Sequence, residues 1–142
     1  MTLGVCSDHA GFKHKSAMIA FLKRQGYEIV DYGTYSPQRC DYPDFAHNLA
    51  LGLQKGEIER GIAFCGTGQG TAMTLNRHKG VRAALCWSRT IARLARSHND
   101  ANILVMPARF ASKCLERAMT KVFLSTPFEQ GRHTARIQKI EL

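Results

Sequence analysis

The residue best suited to chemistry is Cys65, which opens the glycine-rich stretch Cys65-Gly66-Thr67-Gly68-Gln69-Gly70. Alternating glycines let the backbone curl so that successive N–H groups point at one anion. Cys65 stands where a predicted strand ends and a helix begins, and the N-terminus of a helix favours a thiolate over a thiol. The stretch therefore predicts a base above an anion cradle, with a buried, inert thiol as the alternative.

The same stretch does not fit two other phosphate-binding loops. Its spacing is Gly-x-Gly-x-Gly, whereas a dinucleotide-binding turn has Gly-x-Gly-x-x-Gly and an acidic residue after the following strand. Here that strand ends at Leu85-Cys86, without the acidic residue. A cysteine phosphatase needs an arginine where this chain has Thr71. The stretch is therefore neither a dinucleotide-binding turn nor a phosphatase loop.

Two other segments carry imidazoles next to predicted strands. Asp8-His9-Ala10-Gly11 lies at the mouth of a predicted helix, where a carboxylate and an imidazole can meet a ligand beside free backbone N–H groups. Asp8 also suits a plain helix N-cap. Ser97-His98-Asn99-Asp100 ends another helix, so His98 can serve as an acid or base, or simply interact with the helix dipole.

Three arginines are candidates for binding a phosphate. Arg109 follows the last predicted strand, and Arg132 and Arg136 lie one helical turn apart if the C-terminal tail is ordered. The planar guanidinium fork matches phosphate oxygens, and each charge-assisted contact is worth about 1.5 to 3 kcal/mol. Solvated surface charge is the alternative for each of them.

Repeated strand–helix units must position these residues. Short branched apolar segments alternate with segments of helical periodicity, which predicts a parallel sheet between helices. The predicted strands are Leu3 to Ser7, Glu28 to Asp31, Gly61 to Phe64, Val81 to Leu85 and Ile103 to Met106. The predicted helices are Phe12 to Gln25, a second around Ala46 to Leu53, a third ending near Arg77, Ser88 to Ser97, and Ser112 to Leu124.

The predicted inward faces follow from the same periodicity. They comprise Met18, Phe21 and Leu22; Ala46, Leu49, Ala50 and Leu53; Ile91, Leu94 and Ala95; and Leu115, Ala118, Met119 and Val122. After Pro127 the chain turns polar and basic, which predicts an arm over residues 127–142 rather than core. One Rossmann-like α/β/α domain over residues 1–142, with a five-stranded parallel sheet, is the simplest account.

Composition limits the class of protein. The chain has 142 residues, 44% of them hydrophobic, and no apolar run near the ~18 residues that span a bilayer. Its start lacks a signal-peptide pattern, so we expect a soluble cytoplasmic protein without a membrane partner. Five cysteines without a Cys-x-x-Cys pair predict free thiols, with no disulfide framework and no metal site. For the four cysteines other than Cys65, the prediction is a buried, inert thiol.

The net charge of +9 favours an anionic partner. Nucleic acid, an acidic membrane surface and a phosphorylated metabolite all fit, and charge does not choose among them. The cations are scattered and form no basic run. A nucleic-acid-binding module stays an alternative, but interleaved aromatics and a recognised binding motif are missing from the sequence.

Six segments in order resemble type B ribose-5-phosphate isomerases over essentially the whole chain. The segments are Asp8-His9-Ala10-Gly11, Asp41-Tyr42-Pro43, Cys65-Gly66-Thr67-Gly68-x-Gly70, Gly80-Val81-Arg82-Ala83, His98-Asn99-Asp100-Ala101-Asn102 and Gly131-Arg132-His133-x-x-Arg136. That family also contains allose-6-phosphate and galactose-6-phosphate isomerases. The resemblance therefore implies an aldose–ketose isomerase without metal or cofactor, acting on ribose 5-phosphate in the pentose phosphate pathway, with the two hexose phosphates as alternatives.

The resemblance also implies a role for each site residue. Cys65 would shuttle a proton between the first two sugar carbons, Thr67 would hydrogen-bond near it, and His98 would open the furanose ring. The substrate would be bound by Asp8, His9, Tyr42, Gly66, Gly68, Gln69, Gly70, Asn99, Arg109, Arg132 and Arg136. His9 and the three arginines would hold the phosphate, and the glycine-rich backbone would stabilise the enediolate.

A shared active site is a further implication. In the resembled family the His98 position and the tail arginines face the Cys65 loop of a second subunit. The chain is therefore expected to form a homodimer or a tetramer, in which the arm contacts the partner subunit.

Overall fold

A computed structural model describes residues 1–141 and has a five-stranded parallel sheet. The strands are β1 (Thr2–Ser7), β2 (Glu28–Asp31), β3 (Arg60–Cys65), β4 (Ala83–Leu85) and β5 (Ile103–Pro107). They lie in the order β2-β1-β3-β5-β4. This confirms the predicted Rossmann-like α/β fold. Only β4 is shorter than predicted, because the N–H of Val81 donates to His78 and closes a turn before the strand begins.

Helices cover both faces of the sheet. They are α1 (Phe12–Arg24), α2 (Tyr42–Gln54), α3 (Gln69–Leu75), α4 (Arg89–Asn99), α5 (Lys113–Ser125) and a short α6 (Arg132–Gln138). One apolar layer joins the sheet to α1, α4 and α5, with Met18, Ala92 and Phe123 among its members. The other joins it to α2 and α3 around Leu49 and Leu75. None of the helices in the described part of the chain is long and apolar enough to cross a membrane.

The buried faces of α4 and α5 differ from the predicted ones. Ile91 and Leu94 are only half-buried, whereas Arg96 is buried, because its guanidinium donates to the carboxylate of Asp100 at 2.8 Å and to the carbonyl of Ala101 at 2.6 Å. On α5 the inward positions include Glu116, whose two carboxylate oxygens both lie 2.8 Å from Nδ1 of His14. The prediction failed where a charged residue faces inward with its own partner.

The third helix ends at Leu75 instead of near Arg77. The side-chain amide of Asn76 accepts from the N–H of Ala83 and donates to its carbonyl, both at 2.8 Å. Asn76 therefore leaves the helix to cover the outer edge of β4.

The C-terminal tail packs on its own chain. The N–H of Glu129 donates to the carbonyl of Ser97 at 2.9 Å, and His133 is buried against the end of α4. Among the described residues 127–141, only His133 is buried and Ile137 is half-buried, so the predicted arm lies on the surface of its own chain and does not join the core. Leu142 lies outside the described residues.

Candidate active site

Three adjacent strands end at one edge of the sheet and bring half of the predicted site together. Ser7 at the end of β1 pairs with Phe64 of β3, and Cys65 at the end of β3 pairs with Pro107 of β5. Asp8 and His9 follow the first of these strands, and Arg109 follows the last. We call Asp8, His9, Tyr42, Arg109 and the Cys65–Gly70 loop the carboxyl-edge half.

Cys65 is the last residue of the central strand and is only 4% exposed. Its Sγ accepts a hydrogen bond from the N–H of Gly68 at 3.1 Å. The hydroxyl of Thr67, which is solvent-exposed, instead accepts from the N–H of Gln69 at 3.3 Å. The loop therefore directs one backbone N–H, that of Gly68, at the thiol of Cys65.

Each glycine of this loop is required for a different reason. A Cβ on Gly66 would lie 3.2 Å from Nη1 of Arg109, and one on Gly70 would overlap the ring of Tyr42. Gly68 has a φ of +79°, which strains any other residue, and a Cβ there would strike Leu85. Arg109 and Tyr42 consequently lie directly against the loop backbone.

Asp8 and His9 are held by hydrogen bonds of their own. Oδ1 of Asp8 accepts from the N–H of Gly11 at 3.1 Å, so this carboxylate does shape the start of α1. Nδ1 of His9 accepts from the N–H of Cys40 at 3.2 Å. Because a backbone N–H can only donate, the proton of a neutral His9 resides on Nε2, which leaves that atom as a donor to an anion.

The loop that carries Cys40 is fastened by a buried lysine. Lys15 is 1% exposed, and its Nζ lies 2.6 Å from Oδ1 of Asp31 at the end of β2. The same oxygen accepts from the N–H of Gly33 at 2.9 Å, and Gly33 in turn accepts from Ser7. This chain of contacts ties the residues before α2 to the end of β1, next to His9.

The other predicted site residues lie at the opposite edge of the sheet. Helix α4 runs back from the end of β4, so His98 and Asn99 precede the start of β5. Arg132 and Arg136 are exposed on α6, one turn apart as predicted. The five residues of β5 span roughly 16 Å. His98 and Cys65 of one chain therefore cannot contact the same small molecule in this conformation.

His98 belongs to a cluster that was not predicted. Its ring stacks on that of His133, with centroids 4.3 Å apart and planes 15° from parallel. Oε2 of Glu129 lies 3.9 Å from Nε2 of His98 and 3.6 Å from Nε2 of His133. Burial first, and then His98 and Arg132, lower the pKa of His133 from its usual 6.5. We call His98, Asn99, Glu129, His133 and the two tail arginines the amino-edge half.

The donor atoms of His98, Glu129 and His133 lie within 4.8 Å of one another. An imidazole binds a metal ion along the Nε2 lone pair, which lies in the plane of the ring. Planes that are nearly parallel do not meet near the rings, so the two lone pairs do not converge on one ion. The tail has one sequence signal for this cluster, since His133 and Ile137 are spaced like the inward face of a helix.

The remaining thiols fall into two groups. Burial raises the pKa of Cys86 to about 12 and also raises that of Cys6, which fits the prediction of inert thiols. Cys40 is half-buried and Cys114 is exposed on α5. The prediction that each of these thiols is buried is therefore wrong for the last two.

Comparisons with known proteins all point the same way. The model of the Ribose/Galactose Isomerase family matches residues 3–140. Ribose-5-phosphate isomerase B of Escherichia coli is 38% identical over 133 residues, which cover 94% of this chain and 89% of that protein.

Solved structures agree closely with the fold. The crystal structure of a ribose 5-phosphate isomerase from Thermotoga maritima has a TM-score of 0.97 and 46% identity, covering 99% of this chain and 97% of that one. Ribose-5-phosphate isomerase B from Mycoplasma genitalium, solved with bound ribulose-5-phosphate, has a TM-score of 0.94 and 39% identity, covering 98% and 93%.

Proposed function

Because this chain belongs to the ribose/galactose isomerase family and is an isomerase, we propose that it interconverts D-ribose 5-phosphate and D-ribulose 5-phosphate in the pentose phosphate pathway. The observation that carries the proposal is the position of Cys65. This thiol ends the central strand and accepts a hydrogen bond from a loop N–H, and Arg109 and Tyr42 lie against Gly66 and Gly70 of the same loop. We assign the reaction to the cytoplasm.

Cys65 is proposed as the base at carbon. Its thiolate takes the proton from C2 of the open-chain aldose, and the C1 carbonyl becomes an enediolate oxygen. A proton then moves from the C2 hydroxyl to the C1 oxygen, and the thiol returns its proton to C1 as the C2 carbonyl of the ketose forms. The negative charge on the enediolate needs preorganised donors. The N–H groups of Gly66, Gly68 and Gly70, with the hydroxyl of Thr67, are the donors we assign, and the backbone of Gln69 completes the cradle.

Phosphate and hydroxyl contacts follow from the same arrangement. His9 offers Nε2–H, and Arg109 lies against Gly66, so both would hold the phosphate from the carboxyl edge. Asp8 and Tyr42 would contact the sugar hydroxyls. Arg132 and Arg136 would bind the same phosphate from a second chain.

We propose that the active site is shared between two copies of the chain. Support comes from the length of β5, roughly 16 Å, because the two halves lie at its opposite ends. Each half has groups that the other lacks, because the thiol and the oxyanion donors lie at one edge while His98 and Asn99 lie at the other. A homodimer, or a tetramer built from such dimers, would bring opposite halves together.

His98 is proposed to open the furanose ring, with Asn99 binding the sugar beside it. Opening moves one proton from the hydroxyl on C1 to the ring oxygen while the bond between C1 and that oxygen breaks. An imidazole can carry out both transfers, since it accepts and donates a proton near neutral pH.

A hexose 6-phosphate is the second candidate substrate, and the family description, which covers both ribose and galactose isomerases, favours keeping it. It would use the same residues on a longer sugar. Gln69 opens α3 within the loop and is exposed, so its side chain is available to a longer substrate.

The test is a substrate panel of ribose 5-phosphate, allose 6-phosphate and galactose 6-phosphate, assayed with purified protein. We expect the pentose to have the highest kcat/KM. A higher value for either hexose would replace the proposed substrate, while no turnover of any of the three would remove the isomerase assignment. A nucleic-acid role would instead give salt-dependent binding that Cys65→Ala leaves unchanged.

A further inference from the structure

A short reversal of the chain places His133 behind His98. Gln130 and Gly131 have φ values of +62° and +58°, and the N–H of Glu129 donates to the carbonyl of Ser97. The side chain of His98 is 35% exposed, whereas that of His133 is 8% exposed. His98 therefore presents its free edge to the surroundings while His133 supports one face of its ring.

The stack and the carboxylate act on His98 in different ways. A ring packed at 4.3 Å restricts the torsion of the exposed imidazole and keeps its plane fixed. Glu129 is not within hydrogen-bonding distance of either Nε2, so it acts on the two rings as a nearby negative charge.

The charges that act on the buried ring come from three segments. They are His98 on α4, Glu129 in the reversal, and Arg132 and Arg136 on α6. Burial opposes a charge on His133, and the two arginines and His98 add to this effect. The buried ring of His133 therefore stays neutral at neutral pH and offers His98 an uncharged face.

We propose that His133 and Glu129 are positioning residues for His98: the face of His133 fixes the plane of the ring, and Glu129 places a negative charge beside its Nε2. This inference rests on the proposed ring-opening role of His98. It assigns separate tasks to the two residues, and each task can be removed alone.

The first experiment separates the ring face of His133 from its titration. His133→Phe keeps a flat ring and has no titratable group, while His133→Asn removes the ring. Ribose 5-phosphate is the cyclic substrate. D-Erythrose 4-phosphate is the control, because its C4 oxygen carries the phosphate and cannot close a furanose ring.

We expect His133→Asn to lower kcat/KM for ribose 5-phosphate about tenfold, with a much smaller loss on erythrose 4-phosphate, since loss of orientation slows only ring opening. His133→Phe should retain most of the activity. Equal losses on both substrates, or a His133→Phe variant as slow as His133→Asn, would overturn the positioning role. Thermal unfolding of both variants checks that the tail stays folded.

The second experiment removes the charge of Glu129 without changing its shape. In Glu129→Gln, kcat/KM on ribose 5-phosphate should fall about threefold, because the ring loses a nearby negative charge that stabilises the cation formed when it accepts a proton. The kcat/KM measured with erythrose 4-phosphate should not change. Glu28→Gln, at an exposed carboxylate at the start of β2, should change neither value. An unchanged kcat/KM on ribose 5-phosphate in Glu129→Gln contradicts the proposed role.

Failure of this inference is distinguishable from failure of the proposed function. If His98→Asn slows both substrates equally, the ring-opening role of His98 itself is wrong. If His98→Asn slows only the cyclic sugar, while the His133 and Glu129 variants behave like wild type, only the positioning roles are wrong.

Discussion

The carboxyl-edge half and the amino-edge half of the candidate site are built in different ways. The carboxyl-edge half is built on backbone: an N–H contacts the sulfur of Cys65, and two glycines, Gly66 and Gly70, let Arg109 and Tyr42 approach. The amino-edge half is built on side chains at a helix end, where Glu129 and His133 lie beside His98. In the proposed mechanism the backbone donors of the first half stabilise an oxyanion, and the imidazole of His98 in the second transfers protons. In that mechanism neither half carries the whole reaction alone.

The largest expected effect comes from removing the thiol of Cys65, the last residue of the central strand β3. Cys65→Ala should lower turnover roughly 10³-fold, because a general base at carbon typically contributes 10²- to 10⁴-fold. The matched control is Cys114→Ser on the exposed face of α5, which should keep full activity. Steady-state rates with circular dichroism check both variants. Wild-type turnover by Cys65→Ala would leave the reaction without its proposed base.

The second prediction tests whether the two halves meet between chains. Cys65→Ala and His98→Asn, mixed and reassembled, should reach about a quarter of wild-type activity, since half of the dimers are mixed and each has one intact site. That site takes Cys65 from one chain and His98 from the other. Activity of the mixture should be compared with that of each variant alone. A mixture no better than the mean of its parents means that the halves do not combine across chains.

The carboxyl-edge half could be predicted from sequence because its determinants are local. The strand of branched residues before Cys65 and the alternating glycines after it are both visible within ten residues. The glycines are needed for close approach and for a positive φ, and those requirements leave few other residues at their positions.

The amino-edge half and several buried charges depend on partners that a hydrophobic pattern does not report. His14 contacts Glu116 across 102 residues, whereas Arg96 donates hydrogen bonds to Asp100 and Ala101 at the end of its own helix. Helical periodicity treats charged residues as outward-facing, so it placed Ala95 and Met119 correctly but missed the buried Arg96 and Glu116. The stack of His133 on His98 likewise depends on a chain reversal that no periodic pattern reports.

The third prediction separates backbone geometry from activity. Gly68 and Gly26 have similar positive φ values, +79° and +88°, but a Cβ meets Leu85 at the first and open space at the second. Alanine at either position should lower the free energy of unfolding by about 1 kcal/mol or more, because a side chain disfavours this conformation. Only Gly68→Ala should also lose activity, about tenfold or more, since its N–H contacts Cys65. Denaturant unfolding and steady-state kinetics measure the two effects. Equal activity in both variants would mean that moving the N–H of Gly68 relative to Cys65 does not impair catalysis.

The smallest expected effect concerns the pH response of the two halves. The pKa of His133 is lowered, by burial first, so its contribution to stability is present above the ordinary value of 6.5 and is lost as the pH falls through the lowered pKa. Hydrogen exchange, corrected for intrinsic rates, should therefore accelerate in residues 129–138 on mild acidification while residues 62–68 stay protected.

His133→Phe should abolish this difference, because the stacked ring remains and the titration is gone. The effect is modest, since Glu129 opposes the other causes of the shift. If hydrogen exchange in residues 129–138 and 62–68 accelerates together as the pH falls, the tail does not unfold separately from the sheet. The two halves of the site then do not differ in their stability towards acid.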